Sequence, residues 1–211
     1  MKPNLIKLAI GIVGFLVIVL AVMKLISLRS YDKDNPRSLP NGYLMTHSVH
    51  IDRSPKEVFD FITYQMADYN LSLADAHDKF EILNGDGLTE GAIFISEEYQ
   101  ETEGVRNRYL VKEVIPEKMI FYASTPSLIY ELEDDEWKQT GSCNAYVYFD
   151  MKDQNGGTNL SQTLVLEMHN FFTKFMIDMI IWGEEENEWY DHLVEELESL
   201  KVAIESNTPK L

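Results

Sequence analysis

From Tyr43 to Ile51 the chain alternates: Tyr43, Met45, Val49 and Ile51 share one face with His47 among them, while Leu44, Thr46, Ser48 and His50 take the other. Period two with one mostly apolar side predicts a strand. Ser54 then reads as an N-cap, Pro55 as the first helical residue and Glu57 as the third, a capping box. Val58, Phe59, Phe61 and Ile62 give the helix an apolar stripe. The stretch "QMADYNLSLADAHDKF" (65–80) reads as one or two further short helices.

The middle of the chain predicts short strands over 91–99, 105–115 and 118–125, punctuated by "NGDG", "ETEG" and Pro116. Strands over 143–151 and 158–168 flank "KDQNGG", a hairpin turn. In the first of these, Ala145, Val147, Phe149 and Met151 face one way, so the sheet is antiparallel with one covered face. "SLIYELEDDEW" (127–137) is either an additional edge strand or a long acidic loop. Near the end, Trp189, Leu193, Leu197, Leu200 and Ile204 recur at helical spacing. This order predicts an α+β domain, a curved antiparallel sheet wrapped on a long C-terminal helix. One helix is too narrow to fill such a concave face, so a cavity is expected between them.

Two segments break the amphipathic pattern. Leu8 to Met23 carries no charge, and the apolar stretch extends to Leu5 and Ile26 across Lys7 and Lys24. As a helix it is about 33 Å long, enough for a hydrocarbon core of about 30 Å. The run is longer than a signal peptide's apolar region and "KLISLRS" offers no cleavage site, so a retained transmembrane anchor is expected over 1–26. Residues 27–42, with Pro36, Pro40 and Gly42, read as a linker, 43–205 as the folded domain and 206–211 as a tail. Lys24, Arg29, Lys33 and Arg37 follow the span and Lys2 and Lys7 precede it, which favours a cytoplasmic domain. "FFTKFMIDMIIW" (171–182) is apolar nearly all round. Three readings of it stay open: burial on two sides, the wall of a ligand cavity, or contact with the bilayer.

Charge narrows the partners. Beyond residue 26 the chain holds 15 basic against 35 acidic residues, a net −20. Such a surface repels nucleic acid and anionic headgroups. A single cysteine, Cys143, permits no internal disulfide.

Candidate chemistry is sparse. "NGDGLTEG" (84–91) lacks calcium-loop spacing and reads as a turn. Glu97, Glu98, Glu101 and Glu103 read as an acidic solvated hairpin, and the acid run 183–192 as the solvated face of the last helix. His47 and His50 point to opposite faces of one strand, and no histidine stands at metal-ligand spacing, so no metal and no cofactor are expected. No nucleophile with a neighbouring base can be named.

"HSVHIDRSPKEVFDFIT" resembles the opening of the START-like, Bet v 1-like superfamily (SRPBCC; polyketide cyclase/dehydrase and lipid transport proteins). "GGTNLSQTLVLE" is similar to its penultimate turn and last strand, and "LVEELESLKVAIE" to its final helix. The resemblance spans roughly 43–205 and implies a helix-grip fold, here preceded by one transmembrane helix. It implies no shared catalytic set. The leading expectation is a membrane-anchored domain binding a hydrophobic small molecule or lipid. Tyr109, Phe121, Val147, Phe149, Leu164, Phe175, Met179 and Trp182 would line the cavity, Tyr109 orienting a polar head. The alternatives are a cyclase- or dehydratase-type enzyme using His169, Glu97 or Tyr109, and an acidic non-catalytic interaction module at the membrane.

Overall fold

In the computed structural model the described residues are 36–39, 41–168 and 188–207. The expected anchor over 1–26 and the apolar segment 171–182 lie outside them. Among the described residues no helix is long and apolar enough to cross a membrane.

The first strand, β1 (Gly42–Ile51), buries Met45, Val49 and Ile51 at the expected period. The chain turns directly into α1 (Pro55–Tyr64), whose N-terminus carries the full capping box: the Glu57 amide donates to Ser54 Oγ, and the Ser54 amide donates to Glu57 Oε2 at 2.9 Å. Val58, Phe59, Phe61 and Ile62 are buried. Then comes one short turn of helix, α2 (Met66–Tyr69), and a 3-10 turn over Asn70–Ser72. The helical reading of 65–80 fails beyond that point. His77–Asn84 is a strand, β2, whose Phe80 stacks on Phe94 with ring centres 5.0 Å apart. Partnering by the next strand overrides the weak local pattern.

The remaining strands are β3 (Ile93–Gln100), β4 (Glu103–Ile115), β5 (Met119–Glu133), β6 (Glu136–Gln154) and β7 (Gly157–Glu167). Residues 127–137 are neither an edge strand nor a loop. They belong to one long β5–β6 hairpin whose two-residue turn, Asp134-Asp135, has φ of 52° and 63°. Both positive values match the twist of the flanking strands. The sheet is antiparallel throughout, in the order β1-β7-β6-β5-β4-β3-β2. Register shifts at Arg106/Tyr109 in β4 and Ser124/Ser127 in β5, around Pro126, bend the sheet in its middle.

The last helix, α3 (Glu188–Ser206), lies on the concave face. Leu197, Leu200 and Ile204 join Phe59, Ile62 and Phe149 in the core. Its C-terminal end is clamped at the β1–α1 corner. There the Asp52 amide donates to Glu205 Oε1 at 2.9 Å, the Arg53 guanidinium donates to the Glu205 carbonyl, and Asn207 bonds Gln65. At the other end Trp189 Nε1 donates to Glu103 Oε2 at 2.9 Å. The residues just before β1 pack as well: Pro36 is buried, and Arg37 pairs with Asp150 and lies 3.8 Å over the Tyr148 ring.

Candidate functional site

The C-terminal half of α3 fills the concave face, and its N-terminal half does not. Between that half and the sheet lies a cavity of about 180 Å³. Phe80, Phe94, Val105, Val147, Leu164 and Leu166 supply much of its apolar wall. Phe94, Tyr109 and Tyr122 form one aromatic cluster with ring centres 4.8–5.1 Å apart. The middle bend brings polar groups inward: Ser127 Oγ donates to Asn107 Oδ1 at 2.5 Å, and both line the cavity.

The polar lining of the cavity is acidic: it includes Glu98, Glu103 and Glu196, and among the described residues of the lining there is no lysine or arginine. Glu196 is 8% exposed and accepts a hydrogen bond from Gln162 Nε2 at 2.8 Å. Glu98 Oε1 accepts from Ser96 Oγ at 2.5 Å, while Oε2 stands 3.5 Å from His192 Nε2. Burial pushes the Glu98 pKa up, but His192, the charge of His77 and the Ser96 hydroxyl outweigh it and hold the carboxyl below its ordinary value. Burial likewise disfavours charged His192, and Glu98 together with Glu196 and Glu195 overcomes that and raises its pKa. Beside them His77 Nδ1 lies 2.6 Å from the Asn70 carbonyl. A carbonyl only accepts, so Nδ1 carries a proton, and in the neutral ring Nε2 is the nitrogen with the free lone pair. The His77 and His192 rings meet edge to face at 5.1 Å. Tyr109 and Tyr122 are raised well above their ordinary 10.0, by burial first and then by Glu98 and Glu196, so both stay neutral hydroxyls. Burial also pushes the Cys143 thiol up to about 11, with Ser127 partly opposing.

Of the residues expected to line a cavity, Tyr109, Val147 and Leu164 do stand on its wall. Phe149 shares their face but lies in the solid core at the α1 end, fully buried. Phe121 is on the other side of the sheet. It pairs in register with Tyr148 and stacks on that ring at 4.3 Å, because strand alternation puts it opposite Ile120 and Tyr122. Phe175, Met179, Trp182 and His169 lie outside the described residues. Glu97 also points outward, bonded to Arg106 at 3.1 Å; its neighbour Glu98 points in.

Three residues of this site escaped the sequence reading. Glu98 follows Phe94 and Ser96 at period two, which marked the inward face. His192 lies three residues after Trp189 and beside Leu193, on the flank of the apolar stripe rather than in the solvated acid run. His77 was hidden by the helical reading of β2.

The fold has clear counterparts among solved structures. It is similar to ginseng major latex-like protein 151 from Panax ginseng (TM-score 0.53, 8% identity, covering 77% of this chain and 97% of that one). It is similar to the KanY protein (0.52, 12%, 78% and 98%) and to Ara h 8.0201 (0.50, 10%, 79% and 99%). At such identities the likeness establishes the fold alone, a helix-grip domain. No family model matches the sequence, and no curated protein matches it.

Proposed function

We propose that this chain is a membrane-tethered binding protein for a small, largely apolar molecule with a hydroxyl or amine head. One observation carries the reading: an apolar cavity lined by three carboxylates, with His192 paired to one of them and no lysine or arginine among the described lining. A fatty acid or phosphate-headed lipid would bring like charge to those carboxylates and is disfavoured. The volume favours a compact occupant, since drug-sized ligands fill about 300–1,000 Å³ and benzene enters a cavity of about 150 Å³. Burying about 150 Å² of apolar ligand surface gains about 4 kcal/mol. Micromolar binding requires about 8 kcal/mol, so the head must hydrogen-bond to Glu98, Glu196 or the tyrosine hydroxyls. The charge-free run Leu8–Met23 supports the tether, and the basic residues after it favour a cytoplasmic domain.

The test uses the full chain in nanodiscs of defined phosphatidylcholine, extracted with organic solvent and analysed by mass spectrometry. One neutral or cationic small molecule per chain, lost from Ala145→Phe, is the expected result. A wild-type chain that yields nothing stoichiometric and whose melting is unmoved by apolar alcohols and amines contradicts the proposal.

A second reading follows from Glu98 and His192 standing 3.5 Å apart on the cavity wall. A carboxylate and an imidazole so placed form an acid–base pair for a dehydratase- or cyclase-type reaction. Incubating the extracted occupant with fresh protein decides between them. A change in its mass or retention that His192→Gln abolishes makes the chain an enzyme, and an unaltered molecule makes it a carrier.

A further inference from the structure

We infer that His77, Glu98 and His192 bind one divalent transition-metal ion of the zinc type. The inference goes beyond the reading above, because an ion site needs no organic occupant.

The three residues come from separate elements, β2, β3 and α3, and each offers a donor atom within 4.8 Å of the other two. Donors about 2.1 Å from a tetrahedral ion lie about 3.4 Å from one another. The 3.5 Å between His192 Nε2 and Glu98 Oε2 is that spacing, and it is too long for a good hydrogen bond. The remaining atoms of the set are held from outside. Ser96 donates to Glu98 Oε1, which leaves Oε2 to the ion, and the Asn70 carbonyl fixes the His77 proton on Nδ1, which leaves Nε2 as a donor. Such outer hydrogen bonds orient metal-binding imidazoles and carboxylates.

His192 supplies an independent indication. It is 6% exposed, and neither of its ring nitrogens makes a hydrogen bond among the described residues. A buried imidazole without hydrogen bonds is costly. An ion pair with Glu98 alone would engage one histidine, whereas an ion engages both. The surroundings also suit a cation, with Glu103 and Glu196 also lining the cavity and no lysine or arginine among the described lining. Two imidazole nitrogens and one carboxylate select zinc-like ions over magnesium or calcium. Three protein ligands leave at least one position of a four-coordinate ion open, and Glu98 and His192 both border the cavity.

The experiment takes the full chain in detergent, strips it with a chelator, and titrates it with Co²⁺ as a spectroscopic probe and Zn²⁺ by calorimetry. One equivalent of Co²⁺ with intense visible d–d bands is expected, displaced by Zn²⁺. Glu98→Gln and His192→Gln should each weaken Zn²⁺ binding about a hundredfold or more, and His47→Gln/His50→Gln should leave it unchanged. Absence of stoichiometric binding, or binding that the folded Glu98→Gln and His192→Gln variants retain, overturns the site. If those variants do not fold, X-ray absorption on the loaded wild type decides. Two imidazoles in the metal's shell support the assignment, and a shell of oxygens alone refutes it.

Discussion

Cys143 shows how one side chain reports on the cavity. Burial lifts its pKa from 9.0 to about 11 in the folded chain. The thiol is neutral in both states below pH 9, so its contribution to stability is intact there. Between pH 9 and about 11 only the unfolded state ionises, and that contribution is lost as pH rises. Urea midpoints measured from pH 8 to 11 should fall, and Cys143→Ala should fall less steeply. At pH 8 only about one thiol in a thousand is ionised, so iodoacetamide should label Cys143 at least tenfold more slowly than a free thiol and tenfold faster per added pH unit. Residues were legible where strand alternation fixed the face, as for Val147 and Leu164. Where the phase was misjudged by one position the side chain went to the wrong side. Phe121 for Tyr122 and Glu97 for Glu98 are the two instances, since a one-residue error inverts a strand.

At the scale of elements, the chain wrote its caps and turns into local sequence. The Ser54 capping box was readable because its hydrogen bonds span three residues. Ser54→Ala should cost about 1 kcal/mol in chemical denaturation near neutral pH. Hydrogen bonds from the Ser54 side chain and amide hold the Glu57 carboxyl below its ordinary 4.5. That stabilisation is present above pH 4.5 and lost as pH falls below it, so the difference between variant and wild type should shrink in acid. Gly87 makes a sterner demand: its φ is +91°, and a Cβ there would come 2.0 Å from the Thr63 carbonyl oxygen, which already accepts from the Leu88 amide at 2.7 Å. Gly87→Ala should therefore cost more than the cap, about 1–3 kcal/mol, read as a lowered melting temperature with α1 displaced. Strand β2 was not legible, because its apolar face exists only against β3. Phe80 finds Phe94 across the pair, and nothing local announces that partner.

At the scale of the whole molecule, composition foretold the character of the surface and the element order foretold the fold. Neither revealed a site assembled from His77, Glu98 and His192, which sit far apart in the chain and meet only after the sheet has curved and α3 has docked. The net −20 beyond residue 26 works against compactness through self-repulsion. Moving from about 10 mM to about 150 mM sodium chloride shortens the Debye length from about 30 Å to about 8 Å, and the melting temperature should rise across that range. An unchanged or lower melting temperature would mean that local ion pairs, such as Arg106 with Glu97, outweigh the global repulsion.

The strand order has a temporal consequence. β1 begins the sheet at Gly42 but pairs along its whole length with β7, Gly42 opposite Glu167 and Ile51 opposite Thr158. During synthesis its Met45, Val49 and Ile51 leave the ribosome long before the partner strand exists. The other strands can zip up hairpin by hairpin from β2 onward, while the first waits for the last. The nascent chain thus carries an unpaired, sticky edge through most of its translation, a period in which a holding chaperone would shield it.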